Sequence, residues 1–169
     1  MFEAMHVEFQ KLCYYIFMNI IKSEKELLET FRQIDREEVI FSKELSYPLR
    51  LEDYFTWIEP SGNRVYLIKE STSSNLPFGI VFRRDQSTGG PSAMCEWCHA
   101  VRSGSDVSLL TATSSSQRRV GIYLCRDLSC KEKAVHTPNP DDVPRFNTAG
   151  ERIQAIMKRM DLFAKKYLF

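Results

Sequence analysis

The sequence predicts an α+β fold, in which a small antiparallel sheet carries a four-cysteine metal site and is flanked by N-terminal helices and a C-terminal amphipathic helix. Three observations support this prediction. Four of the five cysteines lie between Cys95 and Cys130, aromatic and β-branched runs occur in residues 54–82, and apolar residues recur at helical spacing at both ends of the chain.

The length and composition set the first limits on the class of protein. A chain of 169 residues forms one medium domain, or a small domain with an added segment, and its 43% hydrophobic and 12% aromatic residues are enough to build a core. The net charge is only +1, but residues 1–82 hold 9 basic and 13 acidic side chains, whereas residues 83–169 hold 14 and 9. An anionic partner would therefore dock on the C-terminal half.

The longest apolar stretch near the N-terminus covers residues 12–21 and is interrupted by Asn19. Ten residues are too few to span a bilayer. The stretch also lacks a basic leader and a small-residue cleavage site. We therefore expect a cytoplasmic protein without a membrane partner.

Apolar residues at the N-terminus recur three and four positions apart and predict an amphipathic helix with one buried face. They are Phe2, Met5, Phe9, Leu12, Cys13, Ile16, Phe17 and Ile20. We interpret Cys13 as a small core residue on this face. Ser23 and Glu26 have the spacing of a capping box and predict a second helix through Ile34. Pro48 ends the helical pattern, so we expect an N-terminal helical segment, 1–47, and an α+β domain, 48–169.

Five runs of aromatic and β-branched residues predict the strands of the sheet. Residues 54–58 and 64–68 flank a turn sequence and form a hairpin, and residues 78–83 add a third strand. Between the cysteine pairs, residues 107–112 and 120–124 form a second hairpin. Its polar and basic connection projects into solvent.

Two helices are predicted after the sheet. Asp127 or Ser129 can cap a short helix that follows Cys125 and ends before Pro138. Thr148 and Glu151 form another capping box, and the apolar residues that follow lie on one face of a last helix that reaches Tyr167.

The cysteines form a C-x2-C pair, Cys95 and Cys98, and a C-x4-C pair, Cys125 and Cys130. Two short-spaced thiolate pairs supply the tetrahedral set of soft ligands that zinc prefers, which predicts one structural Zn2+ per chain. Two disulfides, a thioredoxin-like redox pair and an iron–sulfur cluster are the alternatives. His99 could also replace one of the cysteines.

Binding features outnumber catalytic ones. The sequence has no G-x-S-x-G elbow, phosphate-binding glycine loop or H-E-x-x-H helix, and its three histidines are scattered, so we expect no enzyme and no small-molecule substrate. Arg118 and Arg119 lie at the tip of the second hairpin, while Trp97 and Tyr123 add aromatic surface near the cysteines. We predict that these four residues contact RNA or an acidic protein face. The alternative is that Trp97 and Tyr123 pack beside the metal.

The sequence resembles the elongation factor G-binding protein family, which includes the FusB-type fusidic acid resistance proteins. The resemblance rests on Cys95-Glu96-Trp97-Cys98 and on the segment from Val120 to Cys130, with the pattern G-x-Y-x-C-x4-C. Asp53-Tyr54-Phe55-Thr56-Trp57, Arg64-Val65-Tyr66-Leu67 and the closing amphipathic helix add to it. The similarity covers about residues 22–168.

The resemblance implies a C-terminal treble-clef zinc-binding domain and binding to elongation factor G. It further implies that the protein helps a drug-stalled factor leave the ribosome by favouring the released conformation of its partner. We expect the basic and aromatic surface to contact the factor. A module that binds the ribosome or rRNA is the alternative function.

Overall fold

The computed structural model describes residues 20–85, 90–136 and 148–169. The predicted first helix, including Cys13, lies outside these ranges. Within them, none of the helices is long and apolar enough to cross a membrane.

The five predicted strands form close to their expected positions, and four strands of two residues each are added to them. In chain order they are β1 Ile20–Ile21, β2 Leu49–Arg50, β3 Tyr54–Ile58, β4 Arg64–Glu70, β5 Pro77–Arg84, β6 Ala93–Met94, β7 Val101–Arg102, β8 Val107–Ser115 and β9 Arg118–Cys125. Five of them form one antiparallel sheet in the order β3-β4-β5-β8-β9. The pairs β1-β2 and β6-β7 form two-stranded ribbons. The predicted α+β architecture is therefore confirmed.

Three α-helices and one 3₁₀ turn complete the described structure. They are α1 Glu24–Glu29, the 3₁₀ turn Arg36–Glu38, α2 Cys130–His136 and α3 Ala149–Tyr167. The capping box at Thr148 and Glu151 forms in full, because each side chain accepts a hydrogen bond from the other residue's backbone N–H. At α1, Ser23 accepts from the Glu26 N–H, but the Glu26 carboxylate accepts from Lys22 instead of Ser23.

The prediction that the second helix runs to Ile34 is wrong, because α1 ends at Glu29. A contact with the sheet replaces the next helical turn. The carbonyl of Thr30 accepts a hydrogen bond from the Gly79 N–H at 2.9 Å. The ring of Phe31 lies directly over Gly79, where a Cβ atom would come within 2.6 Å of it. Tertiary packing thus overrides the local helical preference.

The two faces of the sheet bury different sets of residues, since neighbouring side chains on a strand point to opposite faces. On one face Leu67, Phe82 and Leu110 belong to the core that includes the four cysteines and α3. On the other face Phe31, Trp57, Tyr66 and Val81 form a second core with residues from 20–51. The second core covers β3, β4 and β5 only.

Residues 20–47 are closely joined to the sheet. Arg32 forms an ion pair with Asp35 and donates hydrogen bonds to the carbonyls of Thr113, Ser114 and Leu168. Segments far apart in the sequence therefore meet at this one guanidinium. Whether residues 1–47 and 48–169 act as separate units stays a prediction.

The contact between Phe31 and Gly79 predicts a stability effect. Changing Gly79→Ala forces the ring of Phe31 to move, and we expect a loss of about 1–3 kcal/mol in the free energy of unfolding. Urea denaturation measures this loss. The matched control is Gly150→Ala in α3, where the added Cβ meets only Thr148 Oγ1 at 3.9 Å. That change should stabilise the protein by up to about 1 kcal/mol, and equal effects at the two sites would contradict the packing argument.

Candidate metal centre

The first cysteine pair lies in a tight turn between β6 and β7. Cys95 donates its backbone N–H to the carbonyl of Ala100 at 3.0 Å, and its own carbonyl accepts from the His99 N–H at 2.8 Å. His99 adopts a left-handed conformation with φ of 59°, which reverses the chain after Cys98. The turn brings both thiols to the same side and into the core.

The second cysteine pair joins the sheet to a helix. Cys125 is the last residue of β9, and Cys130 is the first residue of α2. Between them Leu128 has a positive φ of 58°, and its N–H donates to the Cys125 carbonyl at 2.9 Å. The turn therefore places the start of the helix beside the end of the strand.

The four thiols converge in one buried cluster. All four Sγ atoms lie within 4.8 Å of one another. Cys95 Sγ is 3.6 Å from Cys130 Sγ, and Cys98 Sγ is 3.6 Å from Cys125 Sγ. Disulfide sulfurs lie about 2.0 Å apart, so these pairs are not bonded. Tetrahedral zinc with bonds of about 2.3 Å places its sulfurs about 3.8 Å apart, and the cluster fits such an ion.

Electrostatics within the cluster also favours a cation. Hydrogen bonds from the thiols of Cys125 and Cys130 hold the pKa of Cys95 well below its usual value. The pKa of Cys130 is raised well above its usual value, because Cys125, Cys95 and Cys98 interact with it and burial adds to the effect. The first thiol therefore ionises easily and the last does not. A divalent cation supplies the charge that lets all four become thiolates.

One lysine adds positive charge beside the cluster. Burial works against the charged form of Lys133, but interactions with Cys125, Asp127 and Cys130 together outweigh it, and the pKa of Lys133 is raised. Lys133 lies on α2 one turn after Cys130. Within the described ranges, the group of residues that could hold a metal contains the four cysteines and does not include His99.

Tyr54 is a supporting residue that the sequence patterns did not identify. Its hydroxyl donates to the Leu128 carbonyl at 3.0 Å and accepts from the Lys131 N–H at 2.7 Å. It thereby fixes both the turn of the second cysteine pair and the first turn of α2 to β3. Burial raises its pKa, so the hydroxyl keeps its proton for the bond to Leu128. Its place in an aromatic strand predicted burial but gave no indication of this partner.

The predicted partner-binding residues separate into two groups. Trp97 is wrongly predicted as a surface residue, since it is only 1% exposed and its ring packs against Phe82 and Phe163. It belongs to the core beside the cysteines because the turn of the first pair points it inward. Tyr123 is 46% exposed, and Arg118 and Arg119 are exposed on the same strand. These three remain available to a partner.

The fold and the cluster define a class of protein: an α+β domain in which a turn, the end of a strand and the start of a helix bring four thiols to one closed metal site. The family described as "FBP C-terminal treble-clef zinc-finger" matches residues 25–167. The chain therefore belongs to this family, the FusB-type family that the sequence resembles.

Among solved structures, the fusidic acid resistance protein FusC matches with 16% sequence identity and a TM-score of 0.46, covering 88% of this chain and 59% of FusC. The chain thus spans less than two thirds of the length of FusC. The comparison with curated proteins gives no match.

The closed cluster predicts that metal content depends on each of its four cysteines. Purified protein should contain about one divalent ion per chain by elemental analysis. Changing Cys130→Ser should remove most of it, because the remaining three thiols leave the site incomplete and unfold its surroundings.

Cys13→Ser is the matched control and should keep the full metal content. Equal metal content in the two variants would contradict a four-cysteine site. Circular dichroism after chelation should show loss of structure in wild type and in Cys13→Ser alike.

Proposed function

We propose that this protein binds elongation factor G and influences its release from the ribosome, in the manner implied by the FusB-type family. The observation that carries the proposal is the family match over residues 25–167. The mechanism we propose is binding alone. A protein that holds the released conformation of the factor more tightly than the ribosome-bound one shifts the factor toward release without making or breaking a bond. We place this activity in the cytoplasm, where the factor works.

The open part of the sheet supports the docking surface that we propose. Residues from 20–51 cover the outer faces of β3, β4 and β5, while on β8 and β9 Leu109 is 39% and Tyr123 is 46% exposed. These two residues are paired across the strands. Arg119 lies two positions before Gly121 on the same face, and Arg118 begins the strand. An apolar centre with a basic margin is a common composition for a protein interface.

We further propose that the metal is zinc and that its role is structural. Four soft thiolates are the ligand set that zinc prefers, and the sulfur spacing of 3.6 Å in each of two pairs suits its size. A complete set of protein ligands leaves no position for water or substrate. The ion would therefore hold the turn, β9 and α2 together and present the adjoining surface, and we propose no enzymatic activity.

Binding to elongation factor G is tested by calorimetry with the purified factor. Wild-type protein should bind. The double change Arg118→Ala with Arg119→Ala should weaken the affinity about 10-fold, because the loss of both side chains should cost about 1–2 kcal/mol of binding free energy. The control is Lys22→Ala with Lys43→Ala, which removes two exposed charges from the opposite part of the chain. Wild-type protein that shows no binding at high micromolar concentration would exclude the proposal.

A ribosome- or RNA-binding module is the second candidate function. It is favoured by the charge distribution, since residues 83–169 carry 14 basic and 9 acidic side chains. RNA binding would weaken steeply with salt, and the slope would fall when Arg118 and Arg119 are replaced. Fluorescence anisotropy with labelled rRNA fragments at several salt concentrations distinguishes this function from protein binding.

A further inference from the structure

In the described part of the chain, no strand pairs with the outer edge of β9, which is occupied at Tyr123 by Glu96 and open at Gly121 and Arg119. β9 is the last strand of the five-stranded sheet and pairs only with β8. The carbonyl of Tyr123 accepts a hydrogen bond from the Glu96 N–H at 2.9 Å, so the backbone groups of Tyr123 point away from β8. Residues two apart on a strand point the same way. The N–H and C=O groups of Gly121 and Arg119 therefore also face outward.

A cavity of about 340 Å³ lies beside this edge. Its lining includes Gly121 and Ile122 of β9, Trp97, and residues of α3 such as Arg159 and Lys166. Gly121 has no side chain, so another backbone can approach it closely. The cavity is large enough to receive a side chain from a segment that pairs with β9.

The polar groups around the cavity are mainly hydrogen-bond donors. The indole N–H of Trp97 is buried and has no hydrogen-bond partner in the described ranges, and an indole can only donate. This N–H is sealed from solvent, so an acceptor in the cavity reaches it only when the lining moves on binding, and the bond then satisfies a costly buried donor. Arg159 donates to the Trp97 carbonyl at 2.5 Å. Arg159 and Lys166 outweigh the one carboxylate, Glu96.

We propose that the outer edge of β9 binds an extended acidic segment of a protein partner by strand addition, with a Glu or Asp carboxylate of that segment in the cavity between Trp97 and Lys166. The segment pairs with the outward backbone groups of Arg119 and Gly121. This inference rests on the proposed function only for the identity of the partner. A protein fits better than RNA, because a strand edge matches repeating backbone amides.

The chemistry is tested with blocked octapeptides that alternate Val with Glu, Gln or Lys. Nuclear magnetic resonance follows the amides of Gly121 and Arg119, and the Trp97 indole gives one of only two such resonances, because the chain has two tryptophans. The Glu peptide should shift these three signals, and the Gln peptide should bind at least about 10-fold more weakly because it lacks the charge. Equal binding of the Lys peptide, or shifts confined to other residues, would overturn the proposal. So would single-stranded RNA that shifts these signals when the Glu peptide does not.

The strand pairing is tested by two changes at one position. Gly121→Pro removes the outward N–H but leaves the pairing with β8, and proline is tolerated on edge strands. Gly121→Ala keeps the N–H, and its Cβ would come 3.0 Å from Leu109 Cδ1, the flexible end of an exposed side chain. We expect Gly121→Pro to weaken the Glu peptide at least about 10-fold and Gly121→Ala less than about 3-fold. Equal effects would overturn strand addition.

A second pair of variants keeps the test valid if Gly121→Pro does not fold. Lys166→Glu reverses a charge at the cavity, whereas Lys165→Glu reverses the charge of the neighbouring exposed lysine on the same helix. Only the first should abolish binding of the Glu peptide. If elongation factor G binds wild type and Lys166→Glu equally well and the peptide does not bind, this inference is wrong and the proposed function stands. If the peptide binds and the factor does not, the proposed function is wrong and this inference stands.

Discussion

The close approach of four buried cysteine sulfurs joins pieces of chain that are too short to hold their own structure. The strands β6 and β7 have two residues each, and α2 has seven. A helix of that length is not stable alone in water. The sulfurs of Cys95 and Cys98 meet those of Cys125 and Cys130 in pairs 3.6 Å apart, and a bound cation would turn this contact into four bonds. The turn, the end of β9 and the start of α2 then form one unit.

The two faces of the sheet differ in how far they are buried. One face of all the central strands packs on α3 and the cysteine cluster, while residues from 20–51 cover the other face only as far as β5. Among the described residues, none of the second core covers the same face of β8 and β9. The exposure of Leu109 and Tyr123 in the described ranges therefore follows from the limited extent of the second core.

Much of this arrangement could be predicted from local sequence. Strand patterns, capping residues and cysteine spacing depend on neighbours in the chain, and the five main strands, the capping box at Thr148 and the four-cysteine group lie where these patterns place them. The errors all concern contacts between distant residues. The end of α1 depends on Phe31 meeting Gly79, and the burial of Trp97 depends on Phe82 and Phe163. No spacing rule contains such information.

Trp97 takes part both in the core of the protein and in the lining of the cavity beside β9. Its ring fills the core between the cysteine turn and α3 and so couples the metal site to the packing of the helix. Its indole N–H is buried without a partner in the described ranges, and the residue also lines the cavity beside β9. Trp97 therefore belongs to the core that contains the cysteines and also lines the cavity at the edge of the sheet. The cluster would then support binding by shaping the cavity as well as by stabilising the fold.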